Sequence, residues 1–411
     1  MYLPLAILAT FAFLYSIVAG RMEKTPISGP IVFITFGVFI GPLGFGWLNP
    51  NTTATELKVM ADLALAMLLF SDAANVKKAA LRSGSHIPRR MLLIGLPGVI
   101  ALGFVIAWLM FDELSVWTAA ILATTLAATD AALGKAVVTN KAVPVHIRTS
   151  LNVESGLNDG LCVPVLFVFV ALATAGGEKL ETTSLAIQLV VTEIGIGVIV
   201  GFVITAIGYW LVYQAWKLGW ITQLWKQLLV TMLALMCFAV AQSLHGSGYI
   251  AAFVGGFLFG SLTRKRAHEF VLATEGHGEM LGMLTWVLFG SVVIVKVIDY
   301  FTWQILLYSL LSLTLIRMLP IVLSLSGSGE RIESKLFLAW FGPRGLASIV
   351  FAVIVLNHQV VGAEFIAVIV TCTVLLSTIV HGITANPLAL ALGSRTRKNG
   401  EQASNNHGNC R

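Results

Sequence analysis

The chain reads as an all-α polytopic membrane protein of about thirteen transmembrane helices, an inverted-topology repeat whose helices break near the bilayer midplane. Three observations predict this. Of its 411 residues 57% are hydrophobic and only 11% charged, and the mean hydropathy of +0.88 is far too high for a soluble domain of this size. In windows of about 20 residues, the length of one bilayer crossing, the apolar stretches resolve into spans 2–20, 28–44, 57–74, 91–111, 115–138, 151–175, 185–213, 228–244, 248–263, 279–298, 303–324, 335–357 and 364–391. Charged residues are embedded in several of these spans, beside helix-breaking residues in one of them. Such backbone is tolerated in a membrane only where it lines a cavity or protein interior.

Taken in order, span one lacks a basic segment before it and a small-residue cleavage pattern after it, and is expected to be retained. Span three carries Asp62 and, near its end, Asp72 in LLFSDAAN, about five residues before Lys77, which suggests a site at a cytoplasmic funnel. In span five Thr129 and Asp130 interrupt a run of Ala and Leu.

Span six contains LNVESGLNDGLCVP, with Glu154, Asn158 and Asp159 inside a stretch otherwise apolar enough to cross the bilayer. A charge at mid-bilayer costs about 2.5 to 3.5 kcal/mol on insertion scales, so it marks a functional-site hypothesis. On a helix Ser155 and Asp159 share a face, and Glu154 and Asn158 form a second stripe about 100° away. The Asp159 stripe offers hard oxygen donors suited to an alkali cation or a proton; the Glu154 stripe reads as scaffolding. Asp130 precedes Val138 by eight residues and Asp159 follows Leu151 by eight, so both lie roughly 12 Å from one membrane face. Joined by a short loop, the two helices are expected to be neighbours with their carboxylates at one depth.

Spans seven to ten add Glu193, a candidate pH-responsive group, and little other chemistry. Span eleven embeds Arg317 in LTLIRMLP, for which Glu154 is the preferred partner. Span twelve is interrupted by FGPRGLAS, where Gly342, Pro343 and Gly345 should break the helix around Arg344, which would offset carbonyl-rich helix ends. Spans five and twelve are seven apart, an offset that inverts orientation, and interrupted helices at corresponding positions point to a secondary transporter's binding site. His245, His358 and His381 lie near span ends and read as interfacial. Residues 1–391 form one membrane domain, and 392–411, polar and rich in Asn and Gly, read as a short disordered tail.

Basic residues gather where topology signals lie. With the N-terminus outside, twenty-one fall on the cytoplasmic side and only Lys58, Lys179 and Lys296 outside; Arg317 and Arg344, within spans, complete the 26. The C-terminus is then cytoplasmic. The net charge of +6 therefore answers to the lipid surface rather than to nucleic acid. Cys162, Cys237 and Cys372 fall in apolar segments and Cys410 in the tail, with no C-x-x-C spacing for metal or redox work.

Taken together, TD in span five, ESGLND in span six, the arginine of span eleven and GPRG in span twelve resemble the sodium/proton exchanger branch of the cation:proton antiporter superfamily. The resemblance implies a secondary transporter, not an enzyme, in a plasma (bacterial inner) membrane. It would need no cofactor beyond the transported sodium and proton, which compete for Asp159. It further implies Thr129, Asp130 and Ser155 beside the ion, with Asp159, Ser155 and Thr129 as its ligands. Glu154 and Arg317 become a structural ion pair. Asn158 marks the type associated with electroneutral exchange, and a homodimer with an elevator-like moving core is implied as well. Asp72 stands where relatives often carry glutamate, which puts its direct ligation in question. Potassium in place of sodium or lithium is the alternative cargo. Of other classes, an intramembrane aspartyl protease needs two facing carboxylates, but its G-x-G-D pattern is absent. A cation channel would lack saturable exchange.

Overall fold

In hydrocarbon every backbone N–H and C=O needs a partner within its own segment, so a chain this apolar folds into helices. The computed structural model describes residues 2–22, 25, 28–48, 50–76, 86–175, 180–263, 267–298 and 300–408, and every regular element among them is helical. Of the basic residues used to orient the chain, Lys24, Lys77, Lys78, Arg82, Lys179, Arg264, Lys265, Arg266 and Arg411 lie outside the described residues, as does Cys410.

The elements are α1 (Tyr2–Met22), α2 (Gly29–Ile40), α3 (Pro50–Asn75), α4 (His86–Met110), α5 in two halves (Val116–Thr125 and Ala131–Val138) and α6 (Val145–Thr174). There follow α7 (Leu180–Lys217), α8 (Gln223–Ser243), α9 (Gly248–Thr263), α10 (Ala267–Ile298), α11 (Trp303–Ser324), α12 in two halves (Ile332–Trp340 and Leu346–Asn357) and α13 (Ala363–Gly408). By length and composition α1, α4, α6, α7, α8, α11 and α13 can each cross a membrane. Shorter apolar helices are α2, α9, the first half of α5 and the second half of α12.

Several boundaries differ from the expected spans. α2 stops at Ile40, where Gly41 turns the chain before Pro42, since a residue preceding proline is driven out of the helical region. α10 begins at Ala267, well before residue 279, because Glu275, His277 and Glu279 lower a hydropathy window without breaking a helix. α13 continues through Gly408, where disorder is expected from composition, with no proline after Pro387 to stop it. α11 carries an interruption that composition does not announce. Thr314, at φ −107° and ψ −93°, separates Trp303–Leu313 from Leu315–Ser324.

Packing sorts the helices into two bundles. α3 lies against α9 and α10, α2 against α10, and α7 and α8 against α9; α1 joins through Phe11, stacked on Phe36 with ring centroids 3.9 Å apart. In the other bundle α4 packs on α5 and α11, α6 on α5, and α13 on α11 and α12. Each bundle thus combines three consecutive spans with the three that lie seven later, leaving α7 as the spare. Small residues allow the closest approaches. Gly256 and Gly260, one turn apart on α9, lie directly on the backbone of α3 at Phe70 and Ala74.

Candidate functional site at the crossing of two broken helices

The site grows from the two breaks. The first half of α5 starts at Ser115, whose Oγ accepts the Thr118 N–H at 3.2 Å, and ends at Thr125. After four residues without helix, Asp130 starts the second half as its cap, Oδ1 accepting the Leu133 N–H at 3.2 Å. Its other oxygen, Oδ2, accepts the Leu346 N–H at 2.8 Å, in the first turn of the second half of α12. One carboxylate therefore meets the positive poles of two half-helices. The breaks are also joined by backbone, the Asp130 N–H donating to the Pro343 carbonyl at 2.8 Å. Gly345 has no alternative here, since any Cβ would run into the Asp130 carboxylate.

Arg344 serves the opposite pole. Fully buried, it donates from Nη1 to the carbonyls of Ala127 and Ala128 at 3.1 and 3.2 Å, just beyond the first half of α5. This is the carbonyl-rich end that its place in the sequence suggests it would offset.

α6 crosses the α5 break with both of its polar stripes. Asp159 Oδ1 accepts the Thr129 N–H at 3.2 Å, and Ser155 Oγ donates to the Thr129 carbonyl at 3.0 Å. From the second stripe Asn158 Nδ2 donates to the Ala127 carbonyl at 3.0 Å, to Thr129 Oγ1 at 3.1 Å and to Glu154 Oε1 at 3.4 Å. Cys162 Sγ donates to Asn158 Oδ1 at 3.2 Å, which fixes the amide with its NH2 toward the break. Asn158 thus braces the Thr129 hydroxyl, while Ser155 and Asp159 hold the Thr129 carbonyl and N–H from the other stripe. Thr129 and Ser155, with Asp130, line a cavity of about 20 Å3, room for roughly one water-sized particle.

The expected scaffold pair is present. Arg317 Nη1 lies 2.8 Å from Glu154 Oε1, with both side chains buried. Gly342 leaves room for the guanidinium, which a Cβ there would strike. The kink at Thr314 lies three residues, most of a helical turn, before Arg317.

Asp72 packs with its Cβ toward α6 at Gly156, where a methyl group would stand 3.3 Å from it. It lies within electrostatic reach of Asp159, Asp130, Glu275 and Glu279. A larger cavity, about 410 Å3, runs from the end of α1 and the start of α2 to Asp130, Leu133 and Leu346 at the crossing, lined also by Glu275 and Glu279 of α10. Hydropathy windows leave Glu275 outside the span and put Glu279 at its first residue; their spacing of four residues, one helical face, was the signal available. His381 departs from expectation too. It is buried, its Nε2 3.0 Å from the Trp340 carbonyl, because α13 extends well past it and carries it into the bundle. His358 is exposed, as an end residue should be.

Residues 8–391 match the family model described as "Sodium/hydrogen exchanger, transmembrane". The chain belongs to that family. Among its curated relatives, the K(+)/H(+) antiporter NhaP2 of Shewanella sp. (strain ANA-3) is 24% identical over 93% of this chain and 65% of its own length. The Na(+)/H(+) antiporter of Saccharomyces cerevisiae is 28% identical over 43% of this chain and 19% of its own. The chain therefore spans less than two thirds of either relative. Among solved structures, the sodium proton antiporter MjNhaP1 from Methanocaldococcus jannaschii at pH 8 superposes with a TM-score of 0.77, covering 96% of this chain and 100% of the other at 22% identity. The fold is shared with it, and this family member is a multi-pass membrane protein.

Proposed function

We propose that the chain is a secondary antiporter that exchanges sodium or lithium for protons by competition at Asp159. The observation that carries this reading is the Asp159 carboxylate held against the Thr129 N–H at a crossing of opposed helix poles, beside Ser155 and next to Asp130, which a cavity reaches. A carboxylate that can bind either a proton or an alkali cation binds one at the expense of the other. If only the loaded site passes between inward-open and outward-open states, the two gradients are coupled without a nucleotide. One carboxylate trading one proton for one cation makes the exchange electroneutral. Asp130 caps the half-helices and holds the break, Arg344 balances the opposite pole, and Glu154 with Arg317 braces α6. Asp72, Glu275 and Glu279 draw cations toward the crossing. The protein works as a transporter with no cofactor, and Asp130 makes a protease dyad implausible because each of its oxygens already takes a backbone N–H.

In this reading the N-terminus is outside and the C-terminus cytoplasmic, in a plasma or bacterial inner membrane. The large cavity then opens inward, at the ends of α1 and α5 and the starts of α2 and α10. The bundle of α4–α6 and α11–α13 is the moving core, and the other bundle holds it and forms a homodimer. Potassium is the second reading, favoured by the name borne by the Shewanella relative.

The test is reconstitution in liposomes with a pH dye inside and sodium, lithium or potassium added outside. Cation-driven alkalinisation that is insensitive to a clamped potential supports the proposal; a response to potassium alone changes the cargo. Absence of cation-linked proton flux in folded protein overturns it.

A further inference from the structure

The α12 break has a donor at its carbonyl end that the site described above leaves unused. A helix ends with unpaired carbonyls and a negative pole. For the first half of α5 that pole is met by Arg344, from another helix. For the first half of α12 the Trp340 carbonyl takes the Gly342 N–H at 2.8 Å and is met in addition by His381 of α13, whose Nε2 stands 3.0 Å from it. The other ring nitrogen, Nδ1, lies 3.1 Å from Ser377 Oγ and 3.0 Å from the Ser377 carbonyl. Ser377 Oγ in turn accepts the backbone N–H of Arg344 at 2.7 Å.

The directions of these bonds follow from donor counting. Both ring nitrogens stand 3.0 Å from a carbonyl, and the Ser377 hydroxyl, which has a hydrogen to give to Nδ1, favours the proton on Nε2. Nδ1 then has a lone pair to offer, and the Ser377 hydroxyl, already an acceptor from Arg344, has its own hydrogen to give. A polarised chain results, from the Arg344 N–H to Ser377, from Ser377 to His381, and from His381 to the Trp340 carbonyl, closing a loop across the break. The reverse tautomer would turn its proton to the Ser377 carbonyl, set a lone pair against the Trp340 carbonyl and take from the Ser377 hydroxyl its acceptor at Nδ1.

Ser377, His381 and Thr384 stand at positions i, i+4 and i+7 of α13, one stripe of the helix. All three bond the same short stretch of α12, Thr384 Oγ1 accepting the Trp340 indole N–H at 3.1 Å. The neighbouring face of α13, at Gly382 and Ala385, lines the large cavity.

We infer that His381, acting through Ser377 and the Trp340 carbonyl, is a positioning residue that holds the α12 break and through Arg344 sets the geometry of the cation site. The route is continuous. Ser377 fixes the Arg344 backbone, Arg344 fixes the carbonyls of Ala127 and Ala128, and the next residue, Thr129, supplies the N–H that holds Asp159. The role in exchange rests on the antiporter reading; the strap itself does not.

Two isosteric variants separate positioning from mere packing. In His381→Gln the amide nitrogen takes the place of Nε2 and keeps the bond to Trp340. In His381→Asn the side chain reaches only as far as Nδ1 and loses it. In liposomes the Gln variant keeps the wild-type apparent KM for the cation, and the Asn variant raises it by about 10- to 100-fold, the usual loss when a group orienting an ion ligand is removed. Maximal rate changes less in both. Solid-state NMR of 15N-histidine-labelled protein, with the Gln variant assigning the signal, shows His381 as the neutral Nε2–H ring. Equal KM values for both variants and wild type, or equal losses accompanied by equal falls in melting temperature, overturn the inference. Should wild type exchange no cation, the transport reading falls separately, and the spectrum alone decides the strap. An Nδ1–H ring then overturns it.

Discussion

At the α5 break, Thr129 and Asp130 line cavities. At the α12 break, in contact with it, Arg344 is wholly buried and the backbone is tied by Ser377, His381 and the Asp130 carboxylate. The two breaks match by internal repetition and meet through the Asp130–Pro343 bond, yet they divide the work. The difference teaches that opening a helix in a membrane creates two kinds of unsatisfied backbone, and only one kind needs to stay available to cargo. Donors from neighbouring helices can close the other permanently. Loose ends at both breaks would cost stability; tied ends at both would leave no site.

The largest expected effect tests whether the open side is where cargo binds. Asp159→Asn should reduce cation-driven proton flux in liposomes to the level of empty vesicles, with an unchanged elution profile in detergent. Full exchange in that variant would invert the comparison and send the search to the α12 side.

Next comes the brace between α6 and α11. Glu154→Gln or Arg317→Met leaves one buried charge unpaired and should cost about 3 to 5 kcal/mol, read as a lowered thermal midpoint. Replacing both together should restore much of that loss, because no buried charge is then left unpaired. A double variant no more stable than either single would show that the pair does more than brace.

Smaller again is Gly345→Ala, which pushes one methyl group into the Asp130 carboxylate. An overpacked contact of this kind costs about 1 to 3 kcal/mol, and here it should appear in the exchange rate more than in melting, since Asp130 joins both breaks. Unchanged transport would mean that the breaks move independently.

The smallest effect belongs to the vestibule. Glu275→Gln with Glu279→Gln should raise the apparent KM for the cation by less than about tenfold at low ionic strength, and less at high salt, with the maximal rate retained. A loss of maximal rate would place the glutamates in the transport step itself.

The sequence by itself determined the class of the molecule and its most informative residues. Apolar windows located the helices because the bilayer sets one length for all of them, and TD, ESGLND and GPRG stood out because charge and helix breakers are costly in hydrocarbon. It also named the Glu154–Arg317 pair, since two buried opposite charges have few other partners. Three things only the tertiary structure decided. Asp130 joins both half-helices because α5 and α12 cross at that point, a relation no local spacing contains. Glu275 and Glu279 became cavity lining because α10 begins early and faces α1 and α2. His381, read from its position as interfacial, became part of the α12 break because its environment is made by residues about 40 positions away in the chain. Local composition records the cost of placing a group in the membrane, and contact between distant segments decides what that group then touches.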